Sequence, residues 1–373
     1  MKAIVHHQYG SPDVIELREI DKPVPADDEM LVRVHASSVN IAEWYAMTGL
    51  FIGRIGQGLL KPKDPRLGAD FAGMVEAVGS NVTDFKPGDE VFGGRTGAFA
   101  EYVCVKKAVA RKPANLTFEQ AAAVPTAAIT ALQGLRDYGQ IQPGQKVLIN
   151  GATGGVGTFA VQIAKAFGAE VTAVCSTRNV ELVRSLGADH VIDYTREDFT
   201  RSDRRYDLLF DIAGGRSWSA CRRILNPGAI FVIVGGPRTP LIGPLSHMIK
   251  IKLGSRGASQ KVVFFIAKFT REDFIVLCEL IESGKVMPVV EQTYPLSPCV
   301  TSEQGTHRGK SLSKSKTARD RRPNNLPLAR GSIKQSQRTN LACDISRTFL
   351  IDSDGLACIA AMDCSRGSPL MRC

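Results

Sequence analysis

The stretch LINGATGGVGTFAVQIAKAFGAEVTAVCSTRN, residues 148–179, limits the possible folds of this chain more than any other. It reads as an apolar strand, a glycine-rich turn, a helix with an apolar stripe and a second apolar strand. Ala152, Gly154 and Gly157 fill the three positions of a G-x-G-x-x-G turn, with Ala in the first, and Gly151 adds backbone freedom just before it. The middle glycine lets the backbone approach a pyrophosphate, and the last lets helix and strand pack closely. The helix N-terminus presents free N–H groups and the positive end of its dipole. Gly154, Gly155, Val156 and Gly157 are therefore expected to cradle a dinucleotide, with a turn that binds nothing as the alternative. The context favours the cradle, because the turn follows a strand, opens a helix and sits among repeated βα units.

Those units run along the middle of the chain. VLING, EVTAVC, HVIDY, LLFDIA and AIFVIVGG are apolar strands. The helical segments 156–167, NVELVRSLG and SWSACRRIL fall between them. Apolar strands separated by helices indicate a parallel sheet covered on both faces. Upstream, TFEQAAAVPTAAITALQGLRDYG reads as helix, with Thr117 as N-cap, Gln120 in the capping-box position and Pro125 interrupting the run. Residues 1–110 look mainly β. MKAIVHHQ, ELREID, EMLVRVHASSVN, AGMVEAVGS and FAEYVCVKK alternate apolar and polar residues between Pro- and Gly-rich turns. Late in the chain REDFIVLCELIES reads as an amphipathic helix and MPVVEQTYPL as a strand. The fold class is α/β, a β-rich domain joined to a doubly wound parallel sheet.

The 373 residues allow two domains, and no apolar run approaches the roughly 20 residues that a membrane-spanning helix needs. The first nine residues, MKAIVHHQY, are too polar for a signal peptide, and the expected location is cytoplasmic. A net charge of +10 invites a nucleic-acid reading, but +7 of it lies after Ser297, where 13 Lys and Arg meet 6 Asp and Glu. The remaining +3 is ordinary for an enzyme, so nucleic acid is not the expected partner. Five of the nine cysteines also fall after Ser297, none pair as C-x-x-C, and free thiols in a reducing compartment are expected.

Dinucleotide folds that prefer NAD end their second strand in an acid that holds the ribose hydroxyls. Here that strand ends Val174, Cys175, Ser176, Thr177, Arg178, with no acid. Ser176 and Thr177 can donate to a 2′-phosphate and Arg178 can pair with it, which favours NADPH. A solvated surface arginine is the alternative for Arg178. Ile212 and Ala213 end the fourth strand, at the carboxyl edge where such sheets bind ligands.

As a set, several segments resemble one group. They are GADFAG-x-VEAVG at 68–79, FKPGDEVFG at 85–93, the GATGGVG turn and LGADHVIDY at 186–194. The group is the medium-chain dehydrogenase/reductase superfamily, within it the zinc-independent quinone oxidoreductases related to ζ-crystallin, and the likeness covers about residues 1–297. It implies a GroES-like catalytic domain (1–116), a Rossmann NADPH-binding domain (117–262) and a return to the catalytic domain (263–310). It also implies NADPH-dependent reduction of quinones or activated alkenes, often in a homodimer. By position it implies further cofactor contacts at Thr130, Tyr194, Gly235 and Gly236, and groups near the nicotinamide at Asn40 and Tyr45. For Asn40 the partner is a carboxamide or a substrate oxygen. For Tyr45 the alternatives are hydroxyl donation and simple packing beside Trp44. For Thr130 they are a cofactor contact and a bond to its own helix backbone.

Zinc-dependent members carry Gly-His-Glu where this chain has Gly68-Ala69-Asp70, and a Cys ligand where it reads Ser38-Val39-Asn40. A catalytic zinc needs three protein ligands, so no metal is expected. Without a Lewis acid the acceptor must already be electron-poor, which suits quinones, enones and enals. The segment LFIGRIGQGLLKPKDPRLG is the expected lid over the substrate. After Ser297 the family texture breaks, returns in EQGTHRGK and vanishes again after Lys310. Two readings fit residues 311–373: a frameshifted, disordered tail or a genuine extension. A non-catalytic cofactor- or RNA-binding relative, or an enzyme impaired by its altered C-terminus, is the alternative to the reductase.

Overall fold

The structure is a computed structural model describing residues 1–49, 54, 57–236, 245–294 and 296. Three sheets organise them. A hairpin pairs β1 (Lys2–His6) with β2 (Ile15–Glu19). An antiparallel five-stranded sheet follows, built from β3 (Met30–Ser38), β4 (Asp70–Val78), β5 (Glu90–Gly94), β6 (Tyr102–Val105) and β7 (Val109–Arg111), in the order β6-β3-β4-β5-β7. Helix α1 (Ile41–Thr48) leaves the end of β3 and was not signalled by sequence periodicity.

The third sheet is the parallel one expected. It contains β8 (Lys146–Asn150), β9 (Glu170–Cys175), β10 (His190–Asp193), β11 (Tyr206–Asp211), β12 (Leu225–Ile233) and β13 (Lys261–Phe264). Their order, β10-β9-β8-β11-β12-β13, is the doubly wound arrangement, with its topological switch between β8 and β11. Consecutive residues point to opposite faces, and both faces are buried. Val147, Ile149, Leu208 and Phe210 pack on one side, against α3 (Pro125–Gln133) and α4 (Gly155–Ala166). Leu148, Leu209 and Phe231 pack on the other, against Trp218 and Cys221 of α6 (Trp218–Arg222) and Ile251 of α7 (Leu245–Gly254). The short helix α5 (Val180–Ser185) follows β9. Strand β13 carries the sheet to Phe264, past the boundary at 262 expected from sequence.

The two sheets share a core through the helices between them. Thr117 caps α2 (Phe118–Ala122) as expected, its hydroxyl accepting the Gln120 N–H at 3.2 Å while Gln120 Oε1 accepts the Thr117 N–H at 3.0 Å. Pro125 then separates α2 from α3. Ala36, Ala72 and Phe92 of the antiparallel sheet pack with these helices in the same apolar cluster as β8. The returning helix α8 (Arg271–Glu282) is fastened by buried Asp273, which accepts from Gln133 at 2.7 Å and Arg136 at 2.6 Å. MPVVEQTYPL is not the strand its alternation suggests: 287–294 forms no ladder. Met287 pairs instead with a side chain, its N–H donating to Gln162 Oε1 at 2.8 Å and its carbonyl accepting from Gln162 Nε2 at 3.0 Å, and Pro288 has no N–H to give.

The close crossing of α4 over β8 sets the geometry of the whole sheet edge. A Cβ on Gly157 would lie 2.1 Å from the Gly151 carbonyl oxygen and 2.7 Å from the Ala152 carbonyl carbon, both backbone atoms. Gly157→Ala must therefore push the helix off the strand. We expect a loss of about 1–3 kcal/mol in chemical denaturation, the usual cost of overpacking. An unchanged denaturation midpoint would show that the crossing tolerates a methyl group.

Candidate active site

The glycine turn projects from the carboxyl end of β8. Gly154 caps α4 with an extended backbone, φ −73° and ψ 168°, and Gly155, Val156 and Gly157 make the first turn of the helix. Their N–H groups lie at its positive end, where the helix itself supplies no acceptor. Ile212 and Ala213 leave β11 beside the turn, both donating to the Asn150 carbonyl, at 3.0 and 3.3 Å. Gly235 follows β12 so closely that a Cβ would meet the Ile212 carbonyl oxygen at 2.2 Å. Gly236 is the next residue on the same edge. The expected cofactor residues after three strands, β8, β11 and β12, thus share one rim. The missing Cβ atoms at 157 and 235 let the backbone pack against Gly151 and Ile212, and the N–H groups of the first turn of α4 fit the phosphates of a dinucleotide.

The end of β9 is more elaborate than the sequence suggested. Ser176 is buried and caps a short 3-10 turn, Thr177–Asn179, with the Asn179 amide donating to it at 3.3 Å. Asn179 also donates to Thr153 Oγ1 at 3.4 Å, tying this turn to the glycine turn. Thr177 does not present its hydroxyl proton outward: it donates to Asp193 Oδ2 at 2.5 Å. Hydrogen bonds from Thr177 and Thr195 hold the Asp193 carboxyl below the usual range. Strand β10 thus supplies an acid beside a rim where β9 has none, with Arg196 Nε 3.4 Å away. Arg178 is exposed on the same turn, and Tyr194 follows Asp193 with its N–H donating to the Cys175 carbonyl at 3.0 Å. Sequence reasoning missed Asn179 and Asp193. The signal for Asp193 was the Asp-Tyr pair closing HVIDY.

A second cluster lies where the two sheets meet. Asp70 opens β4 with 0% exposure. Its carboxylate accepts from Ser38 Oγ at 2.9 Å, Asn40 Nδ2 at 2.9 Å, Thr126 Oγ1 at 2.6 Å and the Thr126 N–H at 3.1 Å. Thr126 is in the first turn of α3, so Asp70 satisfies an orphan N–H of that helix from another element. Thr130, one turn on, donates to the Thr126 carbonyl at 2.7 Å, the bond to its own helix named as an alternative above. Asn40 precedes α1, and its N–H donates to Glu43 Oε2 at 2.7 Å. Tyr45 sits half-buried on the same helix. Residues 50–53, 55 and 56 of the expected lid lie outside the described residues.

Two buried carboxyls cannot both ionise cheaply. Burial, then the nearby Asp70, pushes Glu43 up from 4.5 to about 8. Burial also pushes Asp70 up, to about 6, against the bonds from Thr126, Asn40 and Ser38 that favour its charged form. Glu43 Oε1 is buried with no hydrogen-bond partner, whereas Asp70 has a full set of donors. Asp70 is therefore the ionised member at neutral pH and Glu43 the protonated one.

The chain is similar to known proteins over most of its length. The family described as alcohol dehydrogenase GroES-like domain matches residues 26–114, and the one described as zinc-binding dehydrogenase matches 186–312. The mitochondrial NAD(P)H oxidoreductase RTN4IP1 of Bos taurus is 35% identical, over 84% of this chain and 88% of its own. The chain belongs to the medium-chain dehydrogenase/reductase superfamily, in its quinone oxidoreductase-like family. The 2-methylene-furan-3-one reductase of Solanum lycopersicum is 34% identical over 80% of this chain and 73% of its own. Among solved structures, the quinone oxidoreductase from Coxiella burnetii superposes with a TM-score of 0.70 at 31% identity, covering 83% of this chain and 97% of that one. The Escherichia coli quinone oxidoreductase complexed with NADPH gives 0.68 at 27% identity, covering 79% and 93%. This member of the superfamily is thus an NAD(P)H-dependent oxidoreductase with a small-molecule substrate, built from a GroES-like domain and a Rossmann domain. Among the described residues no three His, Cys, Asp or Glu side chains gather as a metal site, and no helix is long and apolar enough to cross a membrane.

Glu43 gives the site a pH signature. In the unfolded chain it ionises near 4.5, but in the native state only near 8. Its contribution to stability is therefore fully present below about 4.5 and is lost as pH rises toward 8. Glu43→Gln cannot ionise and keeps an acceptor for the Asn40 N–H. Its stability relative to the parent should rise between pH 5 and pH 8, by on the order of 1–3 kcal/mol in urea titrations. An equal difference at both pH values would mean that Glu43 is ionised throughout.

Proposed function

We propose that the chain is a zinc-independent, NADPH-dependent reductase that transfers hydride to quinones or α,β-unsaturated carbonyls. The observation that supports this reading is the glycine turn at the rim of the parallel sheet, together with a cluster in which the zinc-ligand positions carry no ligand side chains. Ala69 replaces the His ligand and cannot bind metal, and Ser38, at the early ligand segment, gives its hydroxyl proton to Asp70. The cofactor, when bound, supplies the hydride. The chain's part is to seat the pyrophosphate at Gly154–Gly157, to orient the nicotinamide near Asn40, Thr130, Gly235 and Gly236, and to stabilise the substrate oxygen as it gains charge. Tyr45 is the donor assigned to that oxygen. The names of the relatives, quinone oxidoreductases and a 2-methylene-furan-3-one reductase, support electron-poor conjugated acceptors.

NADPH is favoured over NADH by Ser176 and Arg178 on the rim and by Tyr194 beside them, whereas Thr177, expected to donate to a 2′-phosphate, gives its hydroxyl proton to Asp193. Asp193 opposes a 2′-phosphate there, and its own charge is offset by Arg196. The homodimer is supported by the exposed edge strand β13, where Phe264 is 47% exposed and Ile266, just beyond it, 76%. The free thiols of Cys104, Cys221 and Cys278 support a reducing compartment, taken here to be the cytoplasm, and cell fractionation separates this from a mitochondrial location. Residues 297–373 lie outside the described residues. The family match ends at 312, which supports reading the rest as a tail without a role in catalysis.

Oxidation of NADPH followed at 340 nm in the presence of a quinone and of an enal tests the reaction. Activity should survive dialysis against a strong chelator, and turnover that returns only with added zinc would contradict the metal-free reading. Arg178→Ala should weaken NADPH about tenfold, the loss expected for one charge-assisted contact, and leave NADH nearly unchanged. Equal losses for both cofactors would remove Arg178 from 2′-phosphate recognition.

A further inference from the structure

We propose that Arg196 and Asp193, at the end of the third strand of the parallel sheet, control the 2′-phosphate together: Arg196 rests on Asp193 until NADPH binds and then passes to its 2′-phosphate. Asp193, left ionised beside the phosphate, holds the preference for NADPH down and leaves NADH usable. The inference rests on the cofactor reading above and deepens it, adding a cation and an acid from the end of β10 to the residues that follow β9.

Asp193 closes β10 and pairs in register with Cys175, which closes β9. Its Oδ2 accepts the Thr177 hydroxyl proton at 2.5 Å and has Arg196 Nε 3.4 Å away, so hydroxyl and guanidinium meet on one oxygen. Oδ1 accepts from the Thr195 N–H at 3.0 Å and from the Thr195 hydroxyl at 2.7 Å, which fixes the carboxylate. The Arg196 N–H donates to the Asp193 carbonyl at 3.0 Å, which fixes the backbone from which the arginine extends. The arginine side chain itself is 75% exposed, and its contact with Asp193 is too long for a strong hydrogen bond. Exposed ion pairs of this kind contribute little. A phosphate offers the guanidinium two parallel bonds and more charge than a carboxylate, so the exchange favours the phosphate. Asp193 keeps its threonine donors afterwards and stays ionised, a like charge beside the phosphate. NADH brings no 2′-phosphate, so Arg196 stays on Asp193 and the two charges remain balanced.

The test is calorimetric binding of 2′,5′-ADP and of 5′-AMP, which differ only in the 2′-phosphate. Arg196→Ala should weaken 2′,5′-ADP about tenfold, as for one charge-assisted contact, and leave 5′-AMP unchanged. Asp193→Asn should tighten 2′,5′-ADP about three- to tenfold, as for removal of one nearby like charge, and again leave 5′-AMP unchanged. The decisive variant combines the two. If Arg196 reaches the phosphate, Arg196→Ala costs at least as much in the Asp193→Asn background as in the wild type. A loss that vanishes in that background means that Arg196 only neutralises Asp193, and it overturns the proposal. So do equal changes for both ligands, or an Asp193→Asn chain that binds 2′,5′-ADP no better. If Asp193→Asn does not fold, Arg196→Lys carries the test: it keeps the charge beside Asp193 but loses the fork, and a 2′,5′-ADP to 5′-AMP ratio that stays at the wild-type value overturns the proposal. A wild-type chain that binds both ligands while Arg196→Ala changes neither overturns this proposal alone. One that binds neither ligand overturns the cofactor reading and the proposal with it.

Discussion

The carboxylate of Asp70 sits where two domains, two sheets and two helices converge, and it is buried completely. An isolated charge in such a place would cost far more than a domain's net stability. It persists because donors arrive from the end of β3, the start of α1 and the first turn of α3. The same donors fix the relative position of those elements. Asn40 and Thr130 lie on segments whose starts are both tied to this one carboxylate. The protonated state of Glu43 follows too, since a second charge in the same pocket would have the Asn40 N–H on one oxygen and no donor on the other.

The other half of the site depends on backbone proximity. Gly157 and Gly235 each stand where a side chain would strike a carbonyl oxygen, so the rim of the parallel sheet is made of bare backbone. The doubly wound strand order places the ends of β8 and β11 at the switch point, where the connections diverge and leave a crevice. Helices α2 and α3 pack against both sheets in one apolar cluster, which joins the element carrying the rim to the element carrying Asp70.

What was legible in the sequence was local. The glycine spacing, the Thr117 cap, the break at Pro125 and the apolar strands of the parallel sheet all express constraints within a few residues of chain. The Asp70 network is not local: its partners lie 30, 32 and 56 residues away, and Ser, Asn and Thr carry no pattern that betrays a shared acceptor. Asp193 was overlooked because an acid at this rim is sought at the end of the second strand, and here one stands at the end of the third. Strand β7, three residues long, and helix α1, eight, are too short for periodicity to declare them. MPVVEQTYPL misled in the opposite sense, because its alternation is real but its partner is the Gln162 side chain.

The central claim is that one nicotinamide cofactor bridges the Rossmann rim and the Asp70 cluster. Hydrogen–deuterium exchange with and without NADPH tests it most directly. Added protection should appear together at the first turn of α4, around 154–158, and at the start of α1 and α3, around Asn40 and Thr126. Protection confined to the Rossmann rim, with α1 and the Asp70 cluster unchanged, would contradict the account.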